Sequence, residues 1–119
     1  MMFKVLPNFW TPVVSVGEIK DTPVAVELAG EKLVLFRNSC GEIGSLLDKC
    51  PLRGVALSLG SVSDSGCLKC PYHGWQYDIN GSCKQVPFNN HNDINLSKLS
   101  AVSLPTRILG GLVWVFTGT

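Results

Sequence analysis

Two short stretches, Asp48-Lys49-Cys50-Pro51-Leu52-Arg53-Gly54 and Cys70-Pro71-Tyr72-His73-Gly74-Trp75, decide the fold predicted for this chain. In each stretch a cysteine precedes a proline and a glycine follows within four residues, a composition typical of tight loops. Seventeen residues separate Leu52 from Cys70. That length is enough for short strands that bring the second loop back beside the first. The sequence therefore predicts two cysteine loops, about 48–57 and 67–76, held face to face by β-structure.

The segments around these loops have the apolar alternation and turn residues of β-strands. Strands are predicted within 9–37, at 43–47, 67–69, 76–78 and 82–86, and finally over 99–107 and 112–116 on either side of Gly110-Gly111. Pro12 and Pro23 suit strand starts or edges. Three aromatic residues, Trp10, Trp114 and Phe116, are expected in the core. No window has a sustained helical period, so the predicted class is all-β, a compact sandwich or barrel.

Length and charge favour one domain, residues 1–119, with no preference for polyanions. The net charge is +1 and the pI about 7.6, which gives no electrostatic footprint for nucleic acid or an anionic membrane. The sequence has no signal peptide and no stretch near the roughly 18 apolar residues of a membrane span. We therefore expect a cytoplasmic protein. Its five cysteines are expected to be thiols or metal ligands, not disulfides.

The cysteines and the histidine of the two loops are candidate iron ligands. Thiolates are soft, anionic donors that suit iron, and neutral imidazoles on a second iron raise its reduction potential. That asymmetry corresponds to the pattern Cys-x-His…Cys-x-x-His. Here the pattern is present as Cys50, Cys70 and His73, with Leu52 at the remaining position. Leucine has no lone pair to donate.

The sequence resembles the Rieske [2Fe-2S] domain family, in which the segment 70–75 is highly diagnostic. Further segments, 56–60, 77–87 and 110–115, resemble the N-terminal domain of Rieske non-haem iron oxygenases. The opening segment 8–13 is similar to that of the chlorophyllide and pheophorbide oxygenase-like branch. Respiratory Rieske proteins carry an extra cysteine in each loop, at positions that are Val55 and Tyr72 here. The resemblance therefore favours the lower-potential oxygenase or ferredoxin type.

The resemblance implies a Rieske-like fold of antiparallel sheets with a two-loop cluster-binding subdomain. It implies a [2Fe-2S] cluster whose inner iron is held by Cys50 and Cys70 and whose outer iron is held by His73, with Leu52 at the vacated ligand position. Loss of a ligand leaves three outcomes open: a cluster completed by solvent or another side chain, a labile cluster, or none. Residues expected around the cluster are Arg53, Tyr72 and Trp75.

The implied function is an electron-transfer module between a reductase or ferredoxin and an oxygenase catalytic subunit. The chain contains only two histidines, His73 and His91, so it cannot by itself form the mononuclear iron site of a full oxygenase. It is an oxidoreductase component at most, and no catalytic domain is expected within it. His91, Cys40 and Cys83 are expected to have no special role.

Two alternatives stay open. In the first, the fold is a degenerate, cluster-free Rieske domain that acts as a binding or structural module, with Leu52 at an apolar loop tip. In the second, Cys67, Cys70, His73 and Cys50 form a three-cysteine, one-histidine zinc site. Against zinc, Cys67 and Cys70 are three residues apart on a predicted strand, so their side chains would point to opposite faces.

Overall fold

The computed structural model describes residues 9–49, 55–71, 75–85 and 101–117. These residues form eleven strands, which follow in chain order: β1 Trp10–Ser15, β2 Val24–Leu28, β3 Glu31–Arg37, β4 Ile43–Leu47, β5 Ser61–Val62, β6 Leu68–Lys69, β7 Gln76–Tyr77, β8 Cys83–Gln85, β9 Ser103–Leu104, β10 Thr106–Leu109 and β11 Leu112–Phe116. All the strand pairs are antiparallel. The predicted all-β class is confirmed.

The central layer is a four-stranded sheet in the order β2-β3-β4-β9, here called the central sheet. Strand β3 carries an unbroken apolar run from Leu33 to Phe36, and all four side chains are buried. Because side chains alternate along a strand, Leu33 and Leu35 face one neighbouring layer and Val34 and Phe36 face the other. An apolar run of this kind is typical of a strand covered on both faces.

One face of the central sheet packs against a three-stranded sheet in the order β1-β11-β10, here called the outer sheet. Val113 and Val115 of β11 enter the two apolar clusters that contain Leu35 and Leu33. Strand β1 is an edge strand, and its pairing with β11 is irregular between Pro12 and Val14. Proline at an irregular edge position agrees with the prediction, because proline cannot donate a ladder hydrogen bond.

The other face of the central sheet packs against a four-stranded sheet in the order β5-β6-β7-β8, here called the loop sheet because both cysteine loops adjoin it. The approach is close: a Cβ atom added to Gly44 of β4 would lie 2.6 Å from the Cβ of Ile79 in the β7–β8 turn. That turn contains Gly81 at a φ of +84°, a conformation that glycine adopts without steric cost. The backbone amide of Ala101 donates to the carbonyl oxygen of Gly81 and joins the two sheets again.

Two predictions are wrong, one about the segment 99–107 and one about three aromatic residues. The segment 99–107 is not one strand, because the chain changes sheets at Pro105: β9 pairs with β4 and β10 pairs with β11. The aromatic residues are not core residues either. Trp10 is 37% exposed, and Trp114 and Phe116 are half-buried on the outward side of the outer sheet. The rings of Trp10 and Phe116 are in tilted contact, with centroids 5.3 Å apart, and the Arg107 guanidinium lies over the Trp10 ring.

Helical structure in the described ranges consists of two 3-10 turns, Val16–Glu18 and Leu57–Leu59. Arg37 stabilises the first turn, because its guanidinium donates hydrogen bonds to the carbonyl oxygens of Val16 and Ile19. The second turn follows the first cysteine loop and buries Leu57. Within those ranges, no helix has the length and apolar character needed to cross a membrane.

Candidate metal centre

The first cysteine loop leaves the central sheet at the end of β4. The Asp48 backbone amide donates to the carbonyl oxygen of Lys32 at 2.9 Å, which places Asp48 beside the start of β3. The Asp48 carboxylate then accepts two hydrogen bonds from Ser58, one from the backbone amide and one from the hydroxyl, each 2.6 Å long. Asp48 and Ser58 therefore hold the two ends of the first loop together.

The second cysteine loop begins at the end of β6 and ends at the start of β7. The Cys70 backbone amide donates to the carbonyl oxygen of Trp75 at 2.7 Å. Cys70 is only 1% exposed and packs in an apolar cluster with Leu57, Leu68 and Tyr77. Trp75 is half-buried and packs against the same cluster. The start and end of the second loop are thus anchored by one backbone hydrogen bond and by the core.

The loop sheet brings the flanks of the two loops together. Leu57, at the end of the first loop, shares the apolar cluster of Cys70. The strand pair β5–β6 places Ser61 opposite Lys69 and Val62 opposite Leu68. At Gly60 the backbone approaches so closely that an added Cβ atom would overlap the Lys69 carbonyl oxygen. Only glycine fits there. The flanks of the two loops are therefore adjacent. The loop tips, 50–54 and 72–74, lie outside the described residues, so their face-to-face arrangement stays a prediction.

The predicted site residues fall into two groups. Cys70 and Trp75 lie in the described part of the chain, where both belong to the flanks of the second loop. The others lie outside the described residues: Cys50, Leu52, Arg53, Tyr72 and His73. Cys67, a member of the alternative zinc set, is half-buried just before β6. Among the described residues, no group of three or more His, Cys, Asp or Glu side chains is placed to hold a metal ion.

The residues fit one half of a Rieske cluster and do not fit the other. Cys70 is 1% exposed. A thiolate at such a buried position would need a metal to neutralise its charge, because water cannot reach it. Cys50 would supply the second sulfur of that half. In the other half, His73 would supply an imidazole nitrogen, but Leu52 has no donor atom. The sequence therefore offers three of the four protein ligands expected for a Rieske cluster.

Sequence reasoning missed the pair Asp48 and Ser58. Asp48 begins the first loop stretch and Ser58 lies in the segment 56–60 that resembles the oxygenase domains, but nothing in either segment predicts their contact. The only sequence signal is an aspartate before the first cysteine and a serine in the turn that follows. Such side chains bond to backbone amides near turns and helical segments, but the ten-residue separation gives no periodicity to detect.

Comparison with known proteins places the chain in one family. Residues 9–105 match the Rieske [2Fe-2S] domain. The 3-chlorobenzoate-3,4-dioxygenase oxygenase subunit of Comamonas testosteroni is 36% identical over 114 residues, which cover 94% of this chain and 26% of that protein. Chlorophyllide a oxygenase of Arabidopsis thaliana is 37% identical over 114 residues, covering 95% of this chain and 20% of the relative.

The fold is also that of a solved oxygenase. The crystal structure of dicamba monooxygenase superimposes with a TM-score of 0.87 at 31% identity, covering 94% of this chain and 35% of that one. The chain therefore spans between a fifth and about a third of the length of these relatives. With its antiparallel sheets, its paired cysteine-loop flanks and the match over residues 9–105, the chain belongs to the Rieske [2Fe-2S] domain family.

Proposed function

We propose that this chain is a Rieske-type electron-transfer module of an oxygenase system, with an incomplete ligand set at the outer iron. The observation that carries the proposal is Cys70, a family ligand position that is buried in the core at the anchored base of the second loop. A [2Fe-2S] cluster, when bound, supplies one-electron transfer. In this proposal Cys50 and Cys70 bind the inner iron and His73 binds the outer iron.

The partners follow from the same proposal. A reductase or ferredoxin supplies the electron, and an oxygenase catalytic subunit receives it. The relatives support this choice, since several are oxygenase subunits by name, such as that of phthalate 4,5-dioxygenase from Pseudomonas putida. The chain has only two histidines, His73 and His91. We therefore assign oxygen activation to a site outside these 119 residues. We propose that the 119 residues form a single Rieske-like domain and that this domain is cytoplasmic.

Leu52 determines how stable the cluster is. Changes to groups that merely support a metal ligand already cost about 10- to 100-fold in affinity, so the loss of a ligand costs at least as much. We propose that the outer iron is completed by solvent or by another side chain and that the cluster is labile. An anionic replacement would add negative charge and bring the potential below the Rieske range, whose lower limit is about −150 mV.

The same leucine favours a second candidate, a cluster-free Rieske fold that acts as a binding or structural module. In this alternative, Leu52 forms an apolar loop tip where a ligand stood in the family. Cys50, Cys70 and His73 would then remain as parts of the scaffold. The two candidates differ in one measurable property, the uptake of iron and sulfide.

The deciding experiment is anaerobic reconstitution of the purified chain with iron and sulfide, alongside Leu52→His and Leu52→His/His73→Ala. The readouts are bound iron and sulfide, visible absorption and circular dichroism, and electron paramagnetic resonance after reduction. We expect about two irons per chain in Leu52→His and a less stable product in the unmodified chain. The double variant again has three protein ligands and should behave like the unmodified chain.

Two outcomes separate the candidates. An unmodified chain that remains colourless and metal-free while Leu52→His binds a cluster would support the cluster-free module. If Leu52→His also binds no iron, the electron-transfer assignment is wrong. Addition of zinc alone to the unmodified chain tests the remaining alternative, since a zinc site would bind one equivalent and lose it in a Cys67→Ser variant.

A further inference from the structure

The Asp48 carboxylate makes an unusually complete contact with Ser58. One carboxylate oxygen accepts the Ser58 backbone amide and the other accepts the Ser58 hydroxyl, both at 2.6 Å. Hydrogen bonds to an ionised acceptor are shorter and stronger than neutral ones. Both residues are half-buried, which limits competition from water. Neither residue is one of the candidate iron ligands.

The position of this contact gives it a role beyond local packing. Asp48 is anchored to the central sheet through its backbone bond to Lys32, and Ser58 belongs to the 3-10 turn whose Leu57 packs in the cluster of Cys70. The contact thus connects the central sheet, from which the first loop leaves, to the 3-10 turn whose Leu57 shares an apolar cluster with Cys70 of the second loop. It needs no metal to form, because every donor and acceptor in it belongs to the protein.

From this arrangement we propose that Asp48 is a positioning residue for cluster binding. By holding Ser58, it fixes the two ends of the first loop before any metal is present. Ordering these ends in advance removes a conformational entropy cost from cluster assembly. The inference rests on the proposed function, but the contact itself is independent of whether a cluster binds.

Limited proteolysis of the metal-free chain tests the anchoring. Lys49 is exposed and directly follows Asp48, so trypsin cleavage of the Lys49–Cys50 bond, followed by mass spectrometry, reports local opening. Ser58→Ala removes one of the two hydrogen bonds and should raise the cleavage rate about fivefold; Asp48→Ala removes both and should raise it by tenfold or more. Ser58→Thr keeps both bonds and should be cleaved at the unmodified rate. Ser61→Ala, at an exposed serine of β5, is the matched control.

Iron uptake tests the consequence for the cluster. In the Leu52→His background, under conditions where circular dichroism shows all variants folded, Ser58→Ala should slow iron and sulfide uptake severalfold and leave the final visible spectrum unchanged. Ser58→Thr should restore the rate of iron and sulfide uptake. A general loss of stability in Ser58→Ala would not predict that a hydroxyl at this position restores the rate.

The outcomes separate this inference from the proposed function. Equal cleavage rates for the unmodified chain, Ser58→Ala and Asp48→Ala would overturn the anchoring, as would a Ser58→Thr variant that is cleaved as fast as Ser58→Ala. Unchanged uptake in Ser58→Ala would overturn the role in assembly. Failure of Leu52→His itself to bind iron contradicts the electron-transfer assignment, while the cleavage rates still decide whether Asp48 anchors the loop.

Discussion

The backbone amide of Cys70 and the carbonyl oxygen of Trp75 form a 2.7 Å hydrogen bond across the base of the second cysteine loop. Both residues also contact the apolar cluster between the central sheet and the loop sheet. Position 70 therefore depends on the packing of that cluster as well as on its own backbone bond. Under the proposed function, mutations in the apolar cluster should affect iron binding through the position of Cys70.

Leu57 tests whether the apolar cluster around Cys70 is part of the core. It is fully buried in the cluster of Cys70, while Leu59 in the same 3-10 turn is 73% exposed. Truncation of a buried leucine leaves a cavity, so Leu57→Ala should lower the free energy of unfolding by about 2–5 kcal/mol. Leu59→Ala should change it by less than about 0.5 kcal/mol. Urea unfolding followed by circular dichroism measures both, and equal effects would contradict the assigned core.

Removal of the Ser45 hydroxyl should stabilise the protein. Its side chain lies on β4 with no exposed surface, and its Oγ has no hydrogen-bond partner in the described structure. A buried polar group without a partner costs about 1–3 kcal/mol, so Ser45→Ala should raise the free energy of unfolding by about 1 kcal/mol. Ser103→Ala, at an exposed position of β9, is the control. A destabilised Ser45→Ala would mean that the hydroxyl has a partner.

Gly44 should not tolerate a side chain. An added Cβ atom would lie 2.6 Å from the Cβ of Ile79 and 2.7 Å from its Cα. Relief of that overlap requires movement of the β7–β8 turn, so Gly44→Ala should cost about 1–3 kcal/mol. Gly17→Ala, where no atom lies within 4 Å of the added Cβ, is the matched control. Thermal unfolding of the two variants compares them, and similar midpoints would show that the sheets can separate at low cost.

Arg37 should contribute more to stability than Arg107. Its guanidinium donates to three backbone carbonyl oxygens, those of Ile19, Val16 and Gly41, at 2.9 to 3.2 Å. Arg37→Ala should lower the free energy of unfolding by roughly 2–3 kcal/mol. Arg37→Lys should recover less than half, because an ammonium group cannot reach carbonyls that lie in three directions.

The contrasting variant is Arg107→Ala. This arginine lies 4.7 Å from the ring centre of Trp10 on the outer sheet, an exposed cation–π contact worth about 0.5–1 kcal/mol. Urea midpoints measured for the arginine variants in one buffer give the comparison. An Arg107→Ala loss as large as that of Arg37→Ala would refute the ranking.

The sequence predicted the strands well where the local pattern and the tertiary structure agree. Strand β4 has the predicted bounds, residues 43–47, because it follows directly on a turn that local residues determine. Asn38 stabilises that turn and Asp78 stabilises the β7–β8 turn, since each accepts hydrogen bonds from two backbone amides that follow it. The family and the fold class also followed from local motifs, and both are confirmed.

The predictions are wrong where the pairing of strands that are distant in the sequence determines the structure. Nothing in the composition of 99–107 tells which sheet each half joins, although Pro105 marks the change of partner. Residue type alone predicts Trp10 in the core, yet Trp10 lies on the outward face of the outer sheet, where it is exposed. At the candidate site, residue types indicate Cys70 and Trp75, which stays a prediction, whereas the contact between Asp48 and Ser58 depends on the way the chain returns from the first loop.

The order of the layers has a practical consequence. The loop sheet and the outer sheet pack on opposite faces of the central sheet, so the exposed side chains of the outer sheet lie roughly 20 Å from the loop sheet at about 10 Å per layer. A cysteine introduced at Leu109, which is 65% exposed, could attach the protein to an electrode or carry a fluorescent label once the exposed Cys40 is replaced by serine. The loop sheet would then lie on the side of the molecule away from the support.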